Sequence, residues 1–536
     1  MKKLIVILIL IHAIFLFPFL KPGIPLSHDG DGHVARIGAY HRAFGDGQLP
    51  PRWAGDLNYR FGTPVLIFNY QLPYYFADFF HAIGFNLTDA FKFVLGISFI
   101  LSGVGFFLWL SQLVHKEAAF VGALLFGLAP YHFLNVFIRG AFGEALGLSI
   151  VPFIFWQIEK IINKNKILDV LLAGILYGLL ILSHNGSAII FSPVFLLYFL
   201  FRKKNKYQLI SLFSIFFIGL LISAYFWLPA VLESRYVVGV SAFAEMYKNH
   251  FPSFLSLIYS GWGFGPDVNA KQGLSPQIGV INFVFVFIGI ISLFKVKNKQ
   301  IIFWLFVLAA SILLTTSLSE VIWRNVSPLR LLEFPWRFTA LSGLAAAVVG
   351  THAVCLIKNR KLIYFIVAVL LMSSFFYTKT NTQNNKGDKH YYSFTGSTVY
   401  RRATSTVWSG GDPFEIPKNK IDIISGSGQI NNLLIKSNLH TFTLDADSNI
   451  KILDNTFYFP GWRVEIDGKK VPIEFQDSNH RGLIAFSAPQ GRSKIEVIFG
   501  ETLLRSVANI ISLMSLIILL IMFGYKIKAQ KLLNSL

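Results

Sequence analysis

Long apolar runs, separated by short polar or basic segments, dominate the first 378 residues of this chain. Several of these runs hold roughly 18 or more apolar residues, which is the length that an α-helix needs to cross a bilayer. A further run of this kind lies close to the C-terminal end. The pattern predicts a polytopic α-helical membrane protein with about twelve transmembrane helices.

The predicted helices share an apolar composition and lie at residues 4–20, 91–113, 118–136, 142–158, 167–182, 187–201, 208–230, 277–294, 300–317, 337–357, 362–378 and 504–525. No small-residue cleavage site follows the first run, so we expect an uncleaved helix rather than a signal peptide. Basic clusters all fall on one side of the membrane in this topology, which the positive-inside rule assigns to the cytoplasm. We therefore expect a multi-pass protein of the cell membrane with both termini cytoplasmic.

Two segments depart from this pattern. The first external loop, residues 21–90, contains an aromatic-rich stretch at 65–83 that is interrupted by polar residues and proline. Such a stretch is typical of an interfacial helix or a re-entrant segment. Residues 379–503 alternate apolar and polar positions, and Asp467-Gly468 between two such runs predicts a hairpin with a type I′ turn. We expect a small extracytoplasmic all-β domain of the sandwich type there.

The domain organisation follows from these boundaries. We predict a transmembrane domain at 1–378, the β-domain at 379–503, a last transmembrane helix at 504–525 and a cytoplasmic tail at 526–536.

Composition agrees with a membrane protein, because 54% of the residues are hydrophobic and only 14% are charged. The net charge of +20 is concentrated in short clusters between apolar runs, which favours anionic lipid headgroups over nucleic acid as the partner. A single cysteine, Cys355, excludes a disulfide framework and a cysteine-based metal site. The sequence also lacks a P-loop and a G-x-S-x-G motif, so nucleotide hydrolysis and α/β-hydrolase chemistry have no support.

The most polar stretch beside an apolar run is Ser27–Arg36, which reads S-H-D-G-D-G-H-V-A-R. Asp29, His33 and Arg36 are spaced i, i+4 and i+7, so a helix would place them on one face. Two glycines inside the stretch weaken that helix. A solvated loop with a local ion pair is an equally good interpretation of these residues alone.

Other ionisable residues lie at the predicted outer ends of helices, where they are costly and therefore candidates for function. Arg139 and Glu144 flank two glycines and fit a structural salt bridge as well as a site. His184 precedes Asn-Gly-Ser and fits a hydrogen-bonded turn. Glu333 and Arg337 surround Phe-Pro-Trp, where an interfacial Trp-Arg anchor is the alternative.

Several motifs in this order carry a family resemblance: His28-Asp29 with His33 and Arg36, Gly47-Gln-Leu-Pro-Pro-Arg52-Trp53, Asn58-Tyr-Arg-Phe-Gly-Thr-Pro64, Arg139-Gly-Ala-Phe-Gly-Glu144, Phe334-Pro-Trp-Arg337 and Pro460-Gly-Trp462. Over nearly the whole chain they resemble bacterial membrane proteins labelled "6-pyruvoyl-tetrahydropterin synthase-related". Nothing resembles the zinc-binding histidines of the pterin enzyme. The architecture is similar to GT-C glycosyltransferases, and the C-terminal part resembles membrane proteins that glycosylate lipoteichoic acid.

The GT-C resemblance implies that an acidic residue of the first external loop acts on the acceptor and that the donor is a polyprenyl-phosphate sugar. It assigns catalysis to Asp29 as general base, with Asp31 as its substitute and His33 as an orienting or relaying group. Arginine suits phosphate binding, and the implied substrate-binding residues are Arg139 and Arg337 first, then Arg36, Arg52, Trp53, Glu144, His184 and Glu333. No cofactor is certain, and a divalent metal (Mg²⁺ or Mn²⁺) held by Asp29 and Asp31 stays open.

The sequence thus favours a GT-C-type glycosyltransferase, inverting in stereochemistry, that transfers a sugar from a polyprenyl-phosphate donor to a cell-envelope glycan or protein acceptor. Two alternatives remain. A transporter or flippase of a lipid-linked or polar substrate suits the number of spans, but internal repeats of the kind that transporters show are not evident. A non-catalytic membrane protein that binds cell-envelope polymer through its β-domain is the third interpretation.

Overall fold

The computed structural model of the protein describes residues 1–239, 243, 245–294, 297–399, 403–409 and 415–535. The helices of the first two hundred residues are α1 (Lys2–Ile14), α2 (Gly30–Gly45), α3 (Val65–Phe68), α4 (Leu72–Ala82), α5 (Leu87–Leu110), α6 (Lys116–Gly127), α7 (Pro130–Phe133), α8 (Phe142–Lys164), α9 (Ile167–Ser183) and α10 (Asn185–Arg202). A short 3₁₀ turn, Phe17–Leu20, follows α1. Helix α8 packs against both α5 and α9.

The later helices are α11 (Gln208–Ile222), α12 (Ala224–Leu232), α13 (Phe254–Ile258), α14 (Val280–Ser292), α15 (Lys299–Thr315), α16 (Glu320–Asn325), α17 (Ser327–Arg330), α18 (Thr339–Val354), α19 (Arg360–Ser374), α20 (Asp388–Tyr392) and α21 (Leu503–Ser535). A helix lies at each of the twelve predicted positions, which confirms that these segments are helical. Within the described ranges, five helices are long and apolar enough to cross a membrane, or up to eight if each bent pair counts as one span. The number twelve therefore stays a prediction, and Lys295 of one predicted basic cluster lies outside the described residues.

Three of the predicted spans are bent rather than straight. The bends are 44° between α6 and the α7 segment, 74° between α11 and α12, and 82° between α15 and the segment that ends with α16. At the first bend Pro130 opens α7, and proline lacks the N–H that a continuous helix would use. At the second, the Ser223 hydroxyl donates to the Gly219 carbonyl at 2.6 Å, a local bond that accompanies helix bending.

Residues 21–90, predicted to be the first external loop and called by that name below, contain α2, α3 and α4. Helix α2 begins directly after Asp29, which confirms the helical interpretation of this stretch. His33 and Arg36 are buried, whereas Asp29 is exposed at the N-terminal end. Because α2 packs against α4 and α5, the loop forms a folded layer on the transmembrane helices.

Strand β1 (Ile24–Pro25) pairs antiparallel with β2 (Gln383–Asn384). The other strands are β3 (Ile421–Ser425), β4 (Gly428–Ile435), β5 (Leu439–Ala446), β6 (Ile450–Phe457), β7 (Trp462–Ile466), β8 (Lys469–Val471), β9 (Leu483–Ala488) and β10 (Gly491–Phe499). They form a five-stranded sheet, in the order β4-β5-β10-β7-β8, and a three-stranded sheet, β3-β6-β9. Their apolar side chains share one core, as expected for a sandwich.

The turn between β7 and β8 has positive φ at both central residues, 47° at Asp467 and 76° at Gly468, which confirms the predicted type I′ hairpin. The described strands of the sandwich begin at Ile421 rather than near residue 379. The preceding segment lies against the first external loop instead, where the Leu26 N–H donates to the Thr382 carbonyl at 2.8 Å.

Candidate functional site

A buried ion pair joins the ends of two helical segments. The π-helical turn Leu134–Arg139 leads into α8, whose first turn carries Glu144. Arg139 Nη1 donates to Glu144 Oε2 at 2.8 Å and to Asn135 Oδ1 at 2.6 Å, and the Tyr131 hydroxyl donates to Glu144 Oε1 at 2.5 Å. The two charged side chains are only 6% and 3% exposed. The predicted salt bridge is therefore present, and π-helical turns of this kind are frequent at functional sites.

Gly140 brings the first external loop onto this ion pair. Its φ of +63° and its close approach to the loop favour glycine, because a Cβ there would lie 3.2 Å from the Gly30 nitrogen. The Asp29 N–H donates to the Arg139 carbonyl at 2.9 Å, and the His28 N–H donates to the Ile138 carbonyl at 3.0 Å. These backbone bonds fix Asp29 beside the arginine that sequence analysis placed in the same site.

Arg337 supplies a second cation. Its Nε lies 3.8 Å from Glu144 Oε2, and its Nη2 donates to Glu333 Oε2 at 3.2 Å. The guanidinium carbon of Arg139 lies 4.4 Å from the centre of the Trp336 ring, a cation–π contact. The structure thus brings together Arg139, Glu144, Glu333 and Arg337, as the sequence predicted.

Glu333 has two unusual properties. Its backbone φ is +63°, a conformation that residues other than glycine seldom adopt and that clusters at functional sites. Burial raises the pKa of Glu333 above its usual range, and the nearby negative charge of Asp29 raises it further. Glu333 therefore binds a proton more readily than an exposed glutamate does.

Three buried N–H donors of this cluster have no hydrogen-bond partner among the described residues: Arg337 Nε, Asn135 Nδ2 and Trp336 Nε1. Asn135 is 1% exposed and Trp336 3%. Buried polar groups are normally paired, so such groups call for an explanation such as a bound ligand. Since all three are donors, the ligand that would satisfy them is rich in acceptors, and an anion such as phosphate fits best.

Asp29 is the exposed carboxylate of this site. It occupies the N-cap position of α2 without a side-chain capping bond, and within the described ranges its carboxylate makes no hydrogen bond or ion pair. Its charge nevertheless acts on Arg139, Glu333, Tyr70 and Tyr74. A carboxylate that is free and close to cations is suited to accept a proton from an incoming hydroxyl.

Asp31, two residues later, is fully engaged. Asn384 Nδ2 donates to both carboxylate oxygens at 2.6 and 2.7 Å, and the Tyr391 hydroxyl and Lys386 Nζ donate at 2.9 and 3.2 Å. The described residues include no group of three or more His, Cys, Asp or Glu side chains that could hold a metal ion. Asp31 is therefore ill placed as a base, and the divalent metal that sequence analysis left open stays a prediction.

His33 and Arg36 meet at the hydroxyl of Tyr74. This oxygen accepts from Arg36 Nη1 at 2.5 Å and from Asn69 Nδ2 at 2.9 Å, so its own proton is left for His33 Nδ1 at 2.6 Å. Burial, with the positive charge of Arg36 second, lowers the pKa of His33 well below its usual range. The imidazole is therefore neutral. Arg36 also donates to the Thr398 carbonyl at 2.6 Å, so its described partners are neutral groups.

His184 has the turn role that sequence analysis gave as an alternative. Its Nδ1 accepts the Ser187 N–H at 3.0 Å and so caps α10. The centre of its ring lies 5.6 Å from that of the Tyr70 ring, and the imidazole is close enough to Glu144 to interact with it electrostatically. His184 is thus both a helix cap and a wall of the site.

Arg52 and Trp53 have their described contacts elsewhere, and their predicted place in the substrate site stays a prediction. Arg52 donates to Glu501 at 3.2 Å and to Asn509 at 2.8 Å, at the start of α21. Trp53 is fully buried and packs edge-on against Trp462 of β7, with ring centres 5.5 Å apart. Both residues attach the first external loop to the β-domain and the last helix.

Sequence reasoning gave no role in the site to Tyr131, Asn135, Tyr74 or Trp336. Tyr131 and Asn135 were visible as polar groups within an apolar run, a signal of function in a membrane protein. Tyr74 and Trp336 gave no such signal, because aromatic residues are common near membrane surfaces.

A family model described as "6-pyruvoyl-tetrahydropterin synthase related domain; membrane protein" matches residues 68–383. The chain belongs to this family. The match covers α4 to α19 with the Arg139–Glu144 and Glu333–Arg337 motifs, and it confirms the family resemblance seen in the sequence. An uncharacterized protein of Lactococcus lactis subsp. cremoris (strain MG1363) is 26% identical over 236 residues, which are 42% of this chain and 38% of that protein.

Two solved structures are similar in part. Mycobacterial arabinofuranosyltransferase AftD has a TM-score of 0.45 at 14% identity, over 70% of this chain and 26% of that chain. The Archaeoglobus fulgidus oligosaccharyltransferase, tethered to an acceptor peptide, has a TM-score of 0.43 at 16% identity, over 77% and 61%.

Proposed function

We propose that this membrane protein is a glycosyltransferase that transfers a sugar from a polyprenyl-phosphate donor to an acceptor of the cell envelope, a glycan or a protein. The observation that carries the proposal is the carboxylate of Asp29, which has no partner among the described residues and whose backbone N–H bonds to Arg139. Arg139 and Arg337 share one glutamate and lie among N–H donors that the described part of the chain leaves unpartnered. The site thus joins a free base to a surplus of N–H donors.

The reaction that these groups support is a single displacement at the anomeric carbon. The acceptor hydroxyl oxygen forms a bond to that carbon and gives its proton to Asp29, while the bond to the phosphate oxygen breaks and its electron pair stays on the phosphate. Attack from the side opposite the phosphate inverts the configuration. Asp29 contributes as general base, and Arg139 and Arg337 stabilise the charge that returns to the phosphate.

The position of the site suits a donor anchored in the bilayer. Glu144 lies in the first turn of α8 and Arg337 in the 3₁₀ turn Pro335–Phe338 directly before α18. Both α8 and α18 continue as apolar helices. A phosphate at these helix ends would lie at headgroup level, with its polyprenyl chain beside the helices. We place the site and the β-domain on the extracytoplasmic side.

The test is sugar transfer in proteoliposomes that contain the full chain and radiolabelled undecaprenyl-phosphate hexoses, with a cell-envelope fraction as acceptor. Asp29→Asn should lower transfer by about 10²–10⁴-fold, because it removes the base. The matched control is Asp56→Asn, which changes a half-exposed aspartate of the same loop that pairs with Arg42. The control should retain wild-type transfer.

Two results would contradict the proposal. Full transfer by Asp29→Asn would remove this residue from catalysis. If the wild-type protein instead moves the labelled lipid across the bilayer without cleaving it, the protein is a flippase.

A further inference from the structure

Strand β4 ends in three consecutive exposed apolar side chains. Leu433, Leu434 and Ile435, here called the ledge, are 44%, 49% and 48% exposed. Side chains of a strand alternate between faces, so a strand on a sandwich ordinarily exposes every second one. A β-bulge between Asn431 and Leu434 breaks the register and leaves all three uncovered.

The ledge also lies on an open sheet edge. Strand β4 is the first strand of the five-stranded sheet, and among the described residues it pairs with β5 alone. An apolar edge strand with unpaired backbone groups is an aggregation hazard that proteins normally cover. We therefore expect another surface to cover this edge.

The turn that follows the ledge lies at the point where the chain enters its last helix. The Phe499 N–H donates to the Asn438 carbonyl at 2.8 Å, and α21 begins at Leu503, four residues later. Four residues reach at most about 14 Å. Leu503 is itself 83% exposed, so apolar surface continues from the last helix towards the ledge.

The first external loop adds apolar surface at the same place. The Ser437 N–H donates to Asp46 at 2.7 Å, and Gln48 Nε2 donates to the Ser437 hydroxyl at 2.9 Å. The next residue, Leu49, is 84% exposed. Leu49, the ledge and Leu503 are thus exposed apolar side chains whose chain neighbours meet around Ser437 and Asn438, close to the start of α21.

We propose that the ledge rests in the headgroup region of the leaflet that α21 enters, so that lipid covers the edge of the β-domain. Exposed Lys436, directly after the ledge, matches anionic headgroups. Interfacial depth also suits the unpaired backbone of β4, which water and headgroups can bond and hydrocarbon cannot. The contact would fix the height of the β-domain above the bilayer independently of the proposed transferase activity.

The test uses the full chain with Cys355→Ala, so that a single introduced cysteine carries a bimane label. Leu434→Cys reports on the ledge, and Gln429→Cys is the matched control, an exposed position at the other end of the same strand. The two positions are about 17 Å apart. In liposomes, lipids brominated near the headgroup should quench the Leu434 label roughly threefold more than the control. Aqueous iodide should show the opposite order.

Equal quenching of both labels by iodide in liposomes would overturn the proposal, because the ledge would then face water. Protection of the Leu434 label together with energy transfer between two labelled copies, undiminished by added lipid, would assign the edge to a second copy and overturn it too. Neither readout depends on catalysis.

Discussion

Helix α8 carries a buried glutamate near each end, and the two ends differ in how the surrounding arginines are paired. Glu144 and Glu159 are about 22 Å apart along the helix. Each accepts a tyrosine hydroxyl at 2.5 Å and an arginine N–H at 2.8 Å. The side chains involved are of the same types, so what surrounds them decides what each end can do.

At the Glu159 end one arginine pairs with both carboxylate oxygens, although the buried Nε1 atoms of Trp109 and Trp304 beside it also lack a hydrogen-bond partner among the described residues. Arg202 donates from Nε at 2.9 Å and from Nη2 at 2.8 Å, a bidentate pair that uses both carboxylate oxygens. The rings of Trp109, Phe155 and Trp304 pack beside the Tyr198 ring that completes this cluster. This end has the properties of an ion pair whose role is structural.

At the Glu144 end the bonding is incomplete. Arg139 uses one nitrogen for its glutamate, Arg337 Nε lies 3.8 Å from the same carboxylate, and buried donors of the cluster have no partner within the described ranges. A glycine with positive φ and the exposed Asp29 adjoin it. The two ends thus differ in how their arginines are arranged, and we propose that the second arginine and the exposed carboxylate at the Glu144 end give that end a binding function.

The largest expected difference concerns stability. Glu159→Gln leaves Arg202 without its partner and should lower the free energy of unfolding by about 3–5 kcal/mol. Glu144→Gln should cost less, because Asn135, Glu333 and Asp29 still surround the arginines. Thermal unfolding of both variants in detergent measures this order, and a larger loss for Glu144→Gln would break the comparison.

Phosphate binding gives the next largest difference. Arg337→Lys keeps the charge but loses the planar donor geometry, and we expect about a tenfold weaker affinity for undecaprenyl phosphate. Arg202→Lys should leave that affinity unchanged. Native mass spectrometry with the lipid measures the affinity of both variants. Equal losses of affinity would mean that the phosphate does not prefer the Glu144 end to the Glu159 end.

A pH effect should be confined to the Glu144 end. Since the pKa of Glu333 is raised by burial, acidification from neutral pH protonates it earlier than an ordinary glutamate and releases Arg337 for the phosphate. Wild-type affinity should therefore gain a few-fold on acidification relative to Glu333→Gln. The phosphate titrates equally in both proteins, so parallel pH profiles would exclude this role of Glu333.

Asp31→Asn should have the smallest effect on transfer. Asp31 already accepts from Asn384, Lys386 and Tyr391, so its loss loosens the segment before the β-domain rather than the chemistry. We expect activity within about tenfold of wild type and faster proteolysis near residue 386. Inactivation as complete as that of Asp29→Asn would show that the two aspartates act together.

Local pattern predicted the helices because a membrane demands long apolar runs, and it predicted the Asp467-Gly468 turn because only certain residues accept positive φ. It did not predict the bends, since composition barely changes at Ser223. Local pattern also could not predict that Asp31 is engaged by other side chains whereas Asp29 is exposed. The partner that engages Asp31, Asn384, lies 353 positions away in the sequence.

The same limit explains Arg52 and Trp53. Their motif stood beside the acidic stretch in sequence, yet their partners are in α21 and the β-domain. The pairing of Arg139 with Glu144 was predictable because both ends of that contact are local.

The most direct test is a cryo-electron microscopy map of the full chain in nanodiscs with undecaprenyl phosphate. Phosphate density within hydrogen-bonding distance of Arg337 and Asn135, with Asp29 facing the free side of the phosphate, is the predicted result. Density at Arg202, or an Arg337 side chain that closes fully onto Glu144 with no phosphate beside it, would contradict the account.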